Sequence, residues 1–292
     1  MQLGFKNQKE AQISYSRYII CILFAVFFSF CTFPCQISTG QADKIVASTS
    51  AQQLNINDEN NTAFLDEMEL KQLQQLQDRG PKALPSLSKS VLTSKFIRHG
   101  SEDVKQVAIT FDDGPYLLTE KYIEILKAYD IPATFFLIGV QVEKYPDDAK
   151  MIIDNGYEIG IHSYNHKKLT NMRIDSIETD LIKSLDTIEE IAKETDVRFF
   201  RPPFGSFNDS VIETAKKHNL TTVLWCVDPR DWQRNDPNQI AQHVIEKSDN
   251  GAIILLHEGR QGTLEALPQI IEGLWEKGFE IVSLSELLST AE

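Results

Sequence analysis

Two carboxylates, Asp112 and Asp113, stand side by side where the apolar run 107–111 ends. Adjacent carboxylates drawn out of water repel each other, so one of them needs a cation or a proton. Read alone, Asp113-Gly114-Pro115 is simply a turn. Further on, His162 and His166 lie four residues apart after another apolar run. If a helix begins there, that spacing puts both imidazoles on one side, as a metal ion requires. Two histidines and one carboxylate leave coordination positions open for water, the arrangement of a catalytic rather than a structural ion. Arg201, ahead of Pro202-Pro203-Phe204-Gly205, either anchors a carboxylate with its forked guanidinium or is an ordinary loop arginine. Asp228-Pro229-Arg230-Asp231-Trp232 adds acids and an aromatic wall, and His257 closes the apolar run 253–256 as a satisfied core histidine or a proton donor. The remaining histidines, His99, His218 and His243, fall in loop or helical stretches and carry no expected catalytic role.

What must position these groups is a series of apolar runs alternating with helical patterns from Val104 onward. Strands are expected near 107–111, 133–138, 158–162, 199–200, 222–227, 252–257 and 280–284. Helices are expected near 119–129, 141–155, 175–194, 208–218, 238–247 and 263–276. Continuous apolar runs are strands buried on both faces, and their alternation with helices implies parallel βα units. Roughly seven units in about 185 residues suit a barrel-like α/β domain shorter than a regular eight-fold one, with a flat doubly wound sheet as the alternative. In either architecture the reactive groups gather at the carboxyl ends of the strands, and Asp112, Asp113, His162, Arg201, the stretch from Asp228 to Trp232, and His257 all fall there.

The motifs TFDDG, HSYNH, RPPFG, DPRDW and LLH, in that order, resemble the polysaccharide deacetylases of carbohydrate esterase family 4, the NodB-homology domain. The likeness spans about residues 104–288 and implies a distorted, incomplete (β/α) barrel. It implies that Asp113, His162 and His166 hold one divalent ion, usually Zn2+, with ions such as Co2+ accepted. Asp112 matches the general base that takes a proton from a water held on that ion, and Arg201 the residue that orients this base. His257 matches the acid that protonates the leaving amine, and Asp231 the group that tunes it. Trp232 and Leu255 match the apolar walls around the acetyl methyl, and the backbone N–H near Phe204 would face the oxyanion. Many members have Tyr where this chain has Phe204. The implied reaction is removal of N-acetyl groups from N-acetylglucosamine-containing glycans such as peptidoglycan or chitin. An ester-cleaving O-deacetylase of the acetylxylan type is the alternative, and a non-catalytic glycan-binding protein a more distant one.

Of the 292 residues, 29 are Lys or Arg and 42 are Asp or Glu, a formal net charge of −13. An acidic chain lacks the basic face that displaces phosphate counterions, so nucleic acid is not an expected partner. The stretch 18–42 is uncharged and largely apolar, follows Lys6, Lys9 and Arg17, and holds Cys21, Cys31 and Cys35. It reads as a secretory signal peptide or an uncleaved anchor, so export is expected, with the membrane touched only through this segment if it is retained. Residues 43–103 read as a linker or stalk with one helix near 62–78, and residues 104–290 as the catalytic domain, expected to be a monomer. Cys226 is left without a disulfide partner, in what reads as a strand interior.

Overall fold

The computed structural model describes residues 85–193 and 195–289. Strands and helices alternate along them as α1 Lys89–Thr93, β1 Gln106–Asp112, α2 Thr119–Ala128, β2 Thr134–Leu137, α3 Gly139–Lys144, α4 Pro146–Asp154, β3 Glu158–Ile161 and α5 Ile174–Ile191. There follow β4 Phe199–Phe200, α6 Asp209–Lys217, β5 Thr221–Thr222, α7 Pro237–Lys247, β6 Ala252–His257, α8 Gln261–Glu276, β7 Glu280–Ile281 and α9 Leu284–Ser289. The leader and the helix expected near 62–78 lie outside the described residues.

The sheet runs β5-β4-β3-β2-β1-β6, every pairing is parallel, and β7 joins the start of β1. β1 is the hub. It pairs with β6 from Val107 to Asp112, with β2 only from Thr110 onward, and with β7 only at Gln106 and Val107. Isolated bridges from Ile97 to Val223 and from Val227 to Ile254 join the chain beyond β5 to the β6 edge. The sheet therefore curls into the distorted, incomplete barrel expected, not the flat doubly wound alternative.

Burial on both faces explains the apolar runs. Phe135 and its alternates Phe111, Leu137 and Ile161 pack outward against the helices. Phe136, Ala108, Phe199 and Ile253 point inward, against Val91 of α1 and Leu284, Leu287 and Leu288 of α9. Residues from Pro85 to Asp103, expected within a linker, thus belong partly to this unit: Val91 and Ile97 are core residues.

Two elements differ from expectation. The single helix expected near 141–155 is split into α3 and α4 at Pro146, which has no N–H to continue a ladder and occupies a first helical turn instead. The strand expected at 222–227 shortens to β5, because beyond it the carbonyls of Val223 and Leu224 accept from the Arg201 side chain. Cys226 is consequently exposed, not buried in a strand.

The ends of β1 and β6 are locked together. Asp112 stands opposite His257 in the ladder, and the Glu258 N–H donates to the Asp112 carbonyl at 2.9 Å. The Glu258 carboxyl folds under the next turn, where a Cβ on Gly114 would meet its Oε2 at 1.8 Å, so any side chain there would displace that carboxyl. Thr119 donates its hydroxyl to Glu258 Oε1 and accepts the Tyr116 N–H at 2.9 Å. Burial pushes the Glu258 carboxyl up to about 8. The folded chain then keeps a proton that the unfolded chain releases above the ordinary glutamate value of 4.5. Stability from this group is whole below that value and falls as pH rises toward about 8. Glu258→Gln, which cannot ionise, is expected to flatten that fall when thermal unfolding is followed between about pH 5 and 8; an unchanged slope would contradict it.

Candidate active site

The groups singled out at strand ends converge at the carboxyl end of the sheet. Asp112 is the last residue of β1 and His257 the last of β6; His162 follows β3, Arg201 follows β4, and Asp231 lies on the loop after β5. The deepest contact is an ion pair. Arg201 is fully buried, and its Nη1 donates to Asp112 Oδ1 at 2.7 Å and to Thr110 Oγ1 at 2.8 Å. Its Nε and Nη2 donate to the carbonyls of Val223 and Leu224 at 3.2 and 3.1 Å, and its guanidinium lies 4.0 Å from the centre of the Phe136 ring. Burial holds the Asp112 carboxyl above its ordinary value, against the pull of Arg201. The Arg201 contact occupies Oδ1, which leaves Oδ2 turned toward His162 Nε2, 3.7 Å away.

Beside this pair lie Asp113, His162 and His166, with one donor atom from each within 4.8 Å of the others. Asp113 Oδ1 is 3.7 Å from His162 Nε2 and 3.4 Å from His166 Nε2. His162 Nδ1 donates to the Arg201 carbonyl at 2.7 Å, so its Nε2 is the nitrogen left with a lone pair. Burial pushes His162 down to about 3, which keeps the imidazole neutral as a ligand must be. Asp113 Oδ1 is buried and accepts no hydrogen bond. An orphaned carboxylate oxygen between two imidazole nitrogens fits a cation-binding donor set, and nitrogen with oxygen donors suits Zn2+ or Co2+.

The two histidines do not sit on a helix, as their spacing had suggested. Ser163 and His166 both have positive φ, 64° and 52°, and the chain turns back on itself. Ser163 Oγ accepts the His166 N–H at 2.9 Å, and Asp180 of α5 accepts the Tyr164 N–H at 2.7 Å. Asp113 and Phe204 also have positive φ, 74° and 62°. Such conformations cost energy in non-glycine residues and persist only where their surroundings impose them.

Across the cleft, His257 Nδ1 donates to Asp231 Oδ1 at 2.7 Å, and the His257 backbone N–H donates to Oδ2 at 2.7 Å. Thr263 of α8 donates a third bond to Oδ2, also at 2.7 Å. Burial alone would lower His257, but the Asp231 hydrogen bond and the charges of Asp231, Asp112 and Asp113 outweigh it, so its pKa is raised. That leaves Nε2 as the ring nitrogen not engaged by Asp231. Leu255 is buried on the same face of β6 as His257, two residues earlier, while Trp232 is exposed beside Asp231. Phe204 is exposed, and its ring lies 4.7 Å from the His166 ring.

Sequence reasoning passed over the supporting hydroxyls and acids: Thr110, Thr119, Asp180, Glu258 and Thr263. Asp180 and Ser184 interrupt the buried stripe of Ile177, Leu181 and Ile188, and Thr110 interrupts an apolar strand. Polar residues at core spacing were the signal that could have found them.

A model of the polysaccharide deacetylase family matches residues 99–223. Over 190 residues the chain is 40% identical to a peptidoglycan-N-acetylglucosamine deacetylase of Bacillus cereus, covering 63% of this chain and 88% of that one. It is 32% identical to a chitooligosaccharide deacetylase of Sinorhizobium fredii, covering 62% and 90%. Among solved structures, a mutant of a carbohydrate esterase family 4 pseudoenzyme from Bacillus anthracis, with restored enzymatic activity, superposes with a TM-score of 0.64 at 36% identity over 73% of each chain. On these grounds the chain belongs to the polysaccharide deacetylases of carbohydrate esterase family 4.

Proposed function

We propose that this protein is an exported, metal-dependent deacetylase that removes N-acetyl groups from a glycan containing N-acetylglucosamine, with peptidoglycan or a chitin-like chain as substrate. A family that includes a pseudoenzyme requires the argument to rest on side chains, not on the fold. The observation that carries it is the orphaned Asp113 Oδ1 between His162 and His166, flanked by an arginine-held carboxylate and an aspartate-held histidine. Asp113, His162 and His166 would hold one ion, Zn2+ by preference and Co2+ as a substitute. When bound there, a divalent ion polarises the acetyl carbonyl and makes water a nucleophile near neutral pH.

The protein's own groups do the rest. Asp112 accepts a proton from the attacking water through Oδ2 while Arg201 fixes Oδ1. As the new C–O bond forms and the amide C–N bond breaks, His257 delivers its Nε2 proton to the departing nitrogen. Asp231, held by Thr263, keeps the imidazole in the tautomer and orientation that this requires. Acetate and a free glycan amine leave. Trp232 and Leu255 wall the methyl, the backbone N–H near Phe204 faces the developing oxyanion, and exposed Tyr116, Leu117, Phe204 and Trp232 offer apolar surface to sugar rings. The residues 1–42 would direct export or anchor the chain with its catalytic domain outside the cytoplasm.

Acetate release should be seen from N-acetylated chitooligosaccharide or peptidoglycan, be lost on chelation and return with Zn2+ or Co2+. Activity that survives chelation would refute the metal requirement, and release from acetylxylan alone would assign an O-deacetylase. Asp112→Asn is expected to lower turnover by about 10²–10⁴-fold with metal content unchanged; near-normal turnover would remove Asp112 from the base role. Asp231→Asn should lower the His257 pKa, so the alkaline limb of the pH–rate profile should move to lower pH, and an unmoved limb would sever Asp231 from the acid.

A further inference from the structure

A second group of donor atoms lies at the opposite end of the sheet. His99, Cys226 and Asp249 each offer one donor within 4.8 Å of the others, and they come from three separate segments. His99 pairs with Ala252 ahead of β1, Asp249 lies just before β6, and Cys226 lies beside Ile253. Five strand steps separate Ala252 from His257, about 16 Å, so this cluster is remote from the acid and base.

The backbone holds all three segments in place. The Gly100 N–H donates to the Gly251 carbonyl at 2.7 Å, and the Cys226 N–H to the Ile253 carbonyl at 3.2 Å. Gly251 has φ +81°, and a Cβ there would meet the Ser101 carbonyl oxygen at 2.6 Å. The Ile253 N–H also donates to the Cys226 sulfur at 3.4 Å, which fixes Sγ.

The chemistry of the contacts then selects the occupant. His99 Nδ1 lies 3.0 Å from the Gly100 carbonyl, which can only accept, so Nδ1 carries the hydrogen. With Nδ1 so committed, Nε2 faces Asp249 Oδ1 at 3.2 Å, and in the neutral ring it does so with a lone pair against another acceptor. Two lone pairs at that distance need something positive between them. A proton satisfies both as an ion pair and leaves the sulfur to its contacts with the Ile253 N–H and carbonyl. A metal ion uses all three: an edge of about 3.3–3.5 Å is what bonds of about 2.0–2.2 Å to nitrogen and oxygen give in a tetrahedral site. The fixing of one imidazole nitrogen by a backbone carbonyl is the usual support for a ligand at the other.

We propose that His99, Cys226 and Asp249 form a second metal site, for a divalent ion of borderline softness such as Zn2+, that ties the segment ahead of β1 to the start of β6. The thiolate and imidazole donors select against Mg2+ and Ca2+. On binding, the Cys226 thiol gives its proton to solvent and a sulfur–metal bond forms. His99 also borders a cavity of about 320 Å³ with Ser101, Glu102 and Asp103, from which water or a carboxylate would complete the shell. The site is structural: it stabilises the fold by mass action of the ion and takes no part in turnover.

The test uses the full chain, stripped of metal and reloaded with Co2+. The active-site donors are nitrogen and oxygen only, so a near-ultraviolet thiolate-to-cobalt charge-transfer band reports the second site alone. The wild type should show the band and bind one ion more per chain than Cys226→Ser, which should lose the band yet keep its acetate release. Equal metal content in the two, or a band that persists in Cys226→Ser and so arises from Cys21, Cys31 or Cys35, overturns the proposal. In the unaltered chain, alkylation of Cys226 followed by peptide mass should slow in proportion to free Zn2+ concentration; a rate indifferent to Zn2+ likewise overturns it.

Discussion

The carboxyl face of this barrel is organised around one buried ion pair, Arg201 with Asp112. Neither group reaches solvent, and a charge so placed is tolerated only when its partner and hydrogen bonds replace the lost water. Removing one partner of such a pair costs about 3–5 kcal/mol, because the other is left charged and dry. Arg201 avoids that by spending its donors on Asp112, Thr110 and the carbonyls of Val223 and Leu224. Those last two bonds have a price in sheet structure, since β5 ends where its carbonyls turn toward the guanidinium. The interruption after β5 and the orientation of Asp112 are thus two results of one interaction.

The two halves of the site are built by different means. The side bearing His257 is rigid by composition: Asp231 receives three hydrogen bonds, from the imidazole, a backbone N–H and a hydroxyl, and is left with little freedom. The side bearing Asp113, His162, His166 and Phe204 is held by backbone strain, with all but His162 at positive φ. Strained turns bring donors closer than a regular helix or strand would, at a cost the packed sheet beneath absorbs. Asp180 and Ser163, tied to the loop that carries the histidines, are what prevent that turn from relaxing.

The succession of strands along the chain and the positions of Asp112, Asp113, His162, Arg201 and His257 at their ends were legible, because apolar runs that stop at a polar residue mark where buried backbone meets a cleft; those runs fit a flat sheet as well, and the incomplete barrel was implied only by the family resemblance. The turn at 162–166 was not legible: a spacing of four suggests a helix, and nothing in Ser163 or His166 announces positive φ. Pro146 did announce the break between α3 and α4, but a periodic apolar pattern ran through it. The hydroxyls of Thr110, Thr119 and Thr263 escaped notice for a simpler reason. A hydroxyl commits to a partner only when the fold brings one near, so its role is a property of the tertiary structure.

One consequence follows from the register of β1 and β6. Asp112 and His257 are ladder partners, so the separation of their backbones is the spacing of adjacent strands, about 4.7–4.9 Å, and not the span of any loop. The gap between these two residues therefore has a fixed gauge. Loops can lengthen, tilt or change their aromatic content without widening it, because widening would demand that two hydrogen-bonded strands part. Variation on such a scaffold is channelled toward the rim, while the spacing at its floor stays constant.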